Sequence, residues 1–168
     1  MSAPLTPLVD LDGTLVQLVL DWDRARDEAE HRNLPRRIAS AISEDTDGAF
    51  RRWLDEFESA AEIVPLHAAL HDYLRCRTWA LVTNNGGRLI DRVVREGHIP
   101  HPDVVVCRDG FPLKPAADQL FAAVTALARI VEPRPVYIGD SEIDKAAASA
   151  AHMPFLPVAA LAAPRDPA

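Results

Sequence analysis

The chain has 168 residues, 48% of them hydrophobic and 26% charged, with a net charge of −7. That length suits one domain with a small appendage, and the apolar fraction is enough for a real core. The acidic balance argues against a nucleic-acid partner recognised through bulk charge, and no apolar stretch is long enough to span a membrane.

In chain order, residues 7–12 predict a short apolar strand ending in two acids, Asp10 and Asp12, followed at once by Gly13. Residues 16–64 hold no convincing strand. They predict a charged helix over 21–32, a second with Pro35 as its first residue running to about 43, and a third capped by Thr46 or Asp47. The third carries Phe50, Trp53, Leu54 and Phe57 on one face, a stripe that reads as packing. After this helical insertion the pattern changes. Residues 79–83, 103–107 and 135–139 are continuous apolar runs, with a weaker one at 155–158. Such runs mark strands buried on both faces. Helical stretches over 67–77, 88–96, 116–130 and 141–151 separate them. This alternation predicts an α/β fold, a doubly wound parallel sheet with helices on both faces. The proline-rich tail after Leu161 is expected to fray.

Cys76 and Cys107 lie in apolar sequence surroundings without metal-ligand spacing, and are expected to be buried free thiols. Residues 1–7 lack a basic region and a long apolar run, so no secretory signal is expected and a cytoplasmic location follows.

In an open parallel sheet, ligands bind outside the carboxyl ends of the strands. Here those ends carry Asp10 and Asp12, Thr83 and Asn84, then Asp140 and Ser141 with Asp144 one helical turn on. Lys114 opens the segment after the third core strand. Two carboxylates two apart on a strand share a face and repel, unless a cation lies between them or one is protonated.

This set resembles the haloacid dehalogenase (HAD) superfamily of phosphotransferases. Asp10-Leu11-Asp12-Gly13-Thr14-Leu15 resembles its first motif and the strand ending in Thr83 its second. Lys114-Pro115 resembles the third, and Gly139-Asp140-Ser141-Glu142-Ile143-Asp144 the fourth. The likeness covers about residues 5–15 and 64–158. It implies a Rossmann-like core over 1–15 and 64–168, and a small all-helical cap over 16–63. One departure is His152, where the family often has glycine before Met-Pro.

The resemblance implies a Mg²⁺-dependent phosphatase acting on a small-molecule phosphate ester. Asp10 is then the nucleophile, forming an aspartyl-phosphate. Asp12 is the general acid and then the base. Asp10 and Asp140, with the backbone carbonyl of Asp12, hold the Mg²⁺. Thr83 and Asn84 with nearby N–H groups, and Lys114, bind the phosphate. Asp144 orients Lys114 or a metal-bound water, and Ser141 reads as the N-cap of its helix. So short a cap predicts either tolerance of varied esters or completion of the lid by a second subunit in a homodimer. Asp21, Arg24, Arg32, Arg36 and Arg37 are expected on a solvated face. The alternatives are a phosphomutase with the same catalytic residues and a non-catalytic regulatory or binding module. A dehalogenase would have no use for Asp12 and Asp140, and a signalling receiver domain would lack the insertion.

Overall fold

The computed structural model describes residues 4–162; the tail beyond, with its expected fraying, lies outside them. Five parallel strands form one sheet: β1 (Thr6–Val9), β4 (Ala80–Val82), β5 (Val104–Val106), β6 (Pro135–Gly139) and β7 (Phe155–Pro157), in the order β5-β4-β1-β6-β7. Both neighbours of β1 are parallel to it, with Leu8 opposite Ala80 on one side and Tyr137 on the other. The chain leaves β1 towards β4 and β5, and later returns to its other side for β6 and β7. The carboxyl end of β1 is therefore the switch point of the sheet.

Side chains alternate across each strand. Val9, Leu81 and Ile138 enter one core with Leu70 and Leu74 of α4 (Ala68–Arg75) and Leu89, Ile90 and Val93 of α5 (Gly87–Arg95). Leu8, Ala80, Val82 and Tyr137 enter the other. They meet Leu120, Ala123 and Leu127 of α6 (Asp118–Leu127) and Ala147 and Ala148 of α7 (Glu142–Ala150). The doubly wound α/β sheet is thus as the apolar runs predicted. A short α8 (Ala159–Ala162) follows β7.

The insertion differs from expectation in one respect. It opens and closes with strands: β2 (Val16–Val19) pairs antiparallel with β3 (Glu62–Pro65), with Val16 opposite Pro65. Residues 16–64 are therefore not strand-free, and the insertion is not purely helical. Between the strands lie α1 (Trp22–His31), α2 (Ile38–Glu44) and α3 (Ala49–Ser59). They share a small core of Ala25, Ala29, Ala41, Ile42, Phe50 and Leu54. Trp53 stacks between Phe50 and Phe57, so that stripe is packing, as read. Helix α2 starts at Ile38 rather than Pro35. Asn33 adopts a positive φ, and Arg37 is still extended at the N-cap.

Both cysteines are free, but Cys76 is exposed and Cys107 only half-buried, not buried as expected. Cys76 caps the C-terminus of α4. His152 follows α7 with φ 51°. A left-handed helix exit favours glycine, which accounts for the residue usual there in the family.

Candidate active site

The predicted residues meet at the carboxyl end of β1. Lys114 is only 3% exposed. Its Nζ donates to Asp10 Oδ1 at 2.8 Å, Asp144 Oδ1 at 2.6 Å and the Tyr137 hydroxyl at 2.6 Å. The Tyr137 hydroxyl donates in turn to Asp144 Oδ1 at 2.8 Å. Ser141 caps α7 in a capping box with Asp144: its hydroxyl donates to Asp144 Oδ2 at 2.6 Å and accepts from Asp144 N. Both oxygens of Asp144 are thus engaged, and its carboxylate serves to hold the ammonium in place.

Asp12 lies in the turn between β1 and β2, and its Oδ1 accepts from Leu18 N at 2.9 Å. Asp140 is exposed and accepts from the buried Thr14 hydroxyl at 3.2 Å. Gly13, at φ +79°, makes this proximity possible: a Cβ there would stand 2.3 Å from Asp140 Oδ2.

The electrostatics are unbalanced towards negative charge. Burial pushes Asp10 up to about 6, with Asp144 adding to the shift and Lys114 opposing it. Burial also raises Asp12, opposed by the Leu18 N–H and helped by Asp140. Asp140, exposed at its edge, is raised by partial desolvation and by Asp144. One ammonium therefore serves too many acids, and a further cation among them would relieve the frustration. Ligand atoms of Asp10, Asp140 and Asp144 lie within 4.8 Å of one another. With Asp144 occupied by Lys114, Tyr137 and Ser141, Asp10 and Asp140 are the carboxylates suited to a hard divalent ion.

Thr83 and Asn84 stand where the second motif was placed, on the loop after β4. The Thr83 hydroxyl donates to Asn85 Oδ1 at 2.8 Å. Asn84 also lines the cavity and reaches the lysine segment. Its Nδ2 donates to Lys114 O at 3.1 Å, and its Oδ1 accepts from Lys114 N at 2.9 Å. Both ends of the amide bond the Lys114 backbone, and Oδ1 also accepts from Gln119 Nε2 at 3.2 Å, so the Asn84 side chain aims the lysine. The Lys114-Pro115 peptide is cis.

A cavity of about 520 Å³ opens above this cluster. Its floor is Asp10, Asp12, Thr83, Lys114 and Asp140; the insertion contributes Trp22, Arg26, Arg37, Ile38 and Ile42. Of the charged residues expected on a solvated face, Arg37 is exposed and also lines the cavity. Asp21 caps α1, Arg32 pairs with Glu28, and Arg36 pairs with Asp27 and Glu30.

Sequence reasoning missed Thr14, Tyr137, Glu58 and Arg108. Tyr137 carried a signal, because a tyrosine in a doubly buried strand needs a partner for its hydroxyl. Glu58 carried another: it continues the Phe50, Leu54 stripe of α3 by one more step of four.

No family model matches the chain, and no curated protein matches it. Solved structures do. CbbY from Rhodobacter sphaeroides, in complex with phosphate, is 20% identical with a TM-score of 0.66, over 90% of this chain and 84% of that one. A Lactobacillus plantarum protein, named provisionally as a phosphoglycolate phosphatase, is 18% identical with a TM-score of 0.65, over 95% and 88%. A HAD-superfamily hydrolase from Ehrlichia chaffeensis is 20% identical with a TM-score of 0.58, over 94% and 87%. At these identities the likeness establishes the fold: the chain has the fold of HAD-superfamily hydrolases, as its motifs implied. Among the described residues no helix is long and apolar enough to cross a membrane.

Proposed function

We propose that the protein is a Mg²⁺-dependent phosphatase that hydrolyses a small phosphomonoester through an aspartyl-phosphate on Asp10. The observation that carries this reading is the buried Lys114 ammonium, held 2.8 Å from Asp10 at the switch point of the sheet, with Asp12 and Asp140 beside it. Supporting it, the structural neighbours include CbbY with bound phosphate.

The chemistry follows from the groups present. An Asp10 carboxylate oxygen attacks phosphorus, and the bond from phosphorus to the ester oxygen breaks. Asp12, whose pKa is raised chiefly by burial, gives its proton to the departing alkoxide. A water then attacks the phosphoryl group and loses a proton to Asp12, and the bond from phosphorus to Asp10 breaks. Inorganic phosphate leaves and Asp10 is restored. Lys114 neutralises part of the negative charge throughout, and the loop after β4 supplies N–H groups and the Thr83 hydroxyl to the phosphoryl oxygens. Asp10, Asp140 and the Asp12 carbonyl would hold Mg²⁺, which supplies charge neutralisation between nucleophile and phosphate.

The test is hydrolysis of p-nitrophenyl phosphate with Mg²⁺ and with EDTA. Chelation is expected to cut the rate by about a thousandfold or more. Equal rates in both buffers would remove the metal from the scheme. Absence of turnover with any of a panel of phosphate esters would point to a non-catalytic module.

The insertion side of the cavity favours an ester whose alcohol part has an apolar stretch and an anionic end, facing Trp22, Ile38 and Arg37. Arg37→Ala is expected to raise KM for such an ester about two- to fivefold, the scale of an exposed ion pair. KM for p-nitrophenyl phosphate should stay put. Equal changes for both substrates would exclude Arg37 from recognition of the leaving group.

A further inference from the structure

Glu58 ends the buried face of α3, in the insertion, yet it is 2% exposed. A carboxylate so placed is costly unless paired and fully hydrogen-bonded. Its oxygens accept from Arg108 Nη1 at 2.9 and 3.0 Å, from Gly86 N at 3.0 Å and from Asn85 Nδ2 at 3.3 Å. Arg108, 4% exposed, belongs to the segment after β5. Asn85 and Gly86 belong to the loop after β4. One insertion side chain therefore ties together two loops of the core.

The contact is close. A Cβ on Gly86 would lie 1.9 Å from Asp55 Oδ1 and 2.6 Å from Arg108 Nη2, so only glycine lets α3 approach the loop this far. Those two atoms are 3.7 Å apart, and each is buried without a hydrogen-bond partner. Arg92 Nη1 secures the same helix end through Ser59 O and Ala61 O.

The tie continues to the Thr83 hydroxyl. A carboxylate can only accept, so Glu58 fixes which end of the Asn85 amide faces it. Nδ2 turns to Glu58, leaving Oδ1 for the Thr83 hydroxyl at 2.8 Å. Asn85 N donates back to Thr83 Oγ1 at 3.2 Å; the single hydroxyl proton, resting on Asn85 Oδ1, can turn to a phosphoryl oxygen while this N–H keeps Oγ1 in place. Glu58 and Arg108 both line the cavity above Asp10, and their charges cancel.

We propose that Glu58 and Arg108 form a buried latch that positions the Thr83 hydroxyl for phosphate, through Asn85. They are positioning residues, and the inference rests on the reading of the β4 loop as the phosphate grip.

The test uses inorganic phosphate as the probe, in Mg²⁺ buffer, with affinity measured by titration calorimetry and folding checked by circular dichroism. The Glu58→Leu/Arg108→Met double variant removes the latch while leaving net charge unchanged. Apolar replacement of a whole buried ion pair commonly preserves the fold. Phosphate affinity is expected to fall about tenfold, the scale of one hydrogen bond to a charged group. Thr83→Val should cost about tenfold in the wild-type background and nothing further in the double variant. Asn85→Ala cuts the same relay without touching the ion pair, and should likewise abolish the effect of Thr83→Val. Full additivity in both backgrounds, with wild-type affinity in the double variant, would overturn the latch and leave the phosphatase reading intact. A wild-type protein that binds no phosphate would instead overturn the phosphate-grip reading, and the latch's role with it.

Discussion

Asp10→Asn is expected to abolish turnover and, in metal-free buffer at pH 7, to make the protein more stable. The first effect follows from the loss of the nucleophile. An amide oxygen cannot replace a carboxylate at phosphorus, and loss of an attacking group costs on the order of 10⁴-fold or more. The second follows from the electrostatics. Burial raises the folded-state pKa of Asp10 from 3.8 to about 6 despite Lys114. The folded state therefore holds a proton that the unfolded chain has already lost over that window, and wild-type stability falls as pH rises from about 4 to 6. Asparagine has nothing to lose there. The variant should gain on the order of 1–3 kcal/mol at pH 7, roughly 3–8 °C in Tm for a domain of this size. The gap should close towards pH 4. Thermal unfolding in EDTA at both pH values checks the sign, and a variant less stable at pH 7 would show that Lys114 outweighs burial. Mg²⁺ should raise the Tm of the wild type more than that of the variant, because the cation relieves the repulsion that the substitution removes.

These opposed effects of one residue explain why the site was legible in sequence. Acids at the ends of buried strands violate the pattern around them, and such violations mark function. Asp10, Asp12 and Asp140 stood out because each ends an apolar run, and Lys114 through the likeness of Lys114-Pro115 to the third motif. The five core strands were legible for the same reason: continuous apolar runs of fixed length. Strands β2 and β3 were not. Val16-Gln-Leu-Val19 does alternate, with Val16 and Leu18 buried and Gln17 and Val19 exposed. Its partner, however, lies beyond three helices, and no local turn announces the pairing. The bonds of Asn84 to the Lys114 backbone were not legible, because a side-chain amide at a strand end suits an anion as well as a backbone. Only the fold brings the Lys114 peptide within 3 Å of its Oδ1. The Glu58–Arg108 pair joins residues 50 apart in sequence. The acid on an apolar helix face could have flagged its burial, but nothing in the sequence could supply its partner.

Lys114→Met should be the most destabilising single change in the site. Methionine matches the unbranched stem and removes only the ammonium. In the wild type, burial works against the Lys114 charge, but Asp10 and Asp144 together hold its pKa above the ordinary value. Burial likewise pushes Asp144 up, while Lys114 and the bonds from Ser141 and Tyr137 bring it below the usual carboxylate range. The lysine contributes stability that is present below its unfolded pKa of 10.5 and is lost as pH rises through the folded value. Asp144 contributes stability that is present above 3.8 and is lost as pH falls through its folded value. The pair is therefore at full strength at neutral pH. Removing the ammonium leaves Asp10 and Asp144 buried without a cation, at a cost of about 3–5 kcal/mol. Urea unfolding at pH 7 should register that loss. Near pH 4 it should shrink, because the orphaned acids can take up protons instead. Adding Asp10→Asn to Lys114→Met should restore part of the stability at pH 7, since it deletes one of the two stranded charges. A double variant no more stable than Lys114→Met would mean that Asp10 carries no stranded charge once the ammonium is gone. Lys114→Arg should not rescue turnover, because three oxygens converge within 2.8 Å of a single nitrogen, and a planar guanidinium cannot satisfy that arrangement.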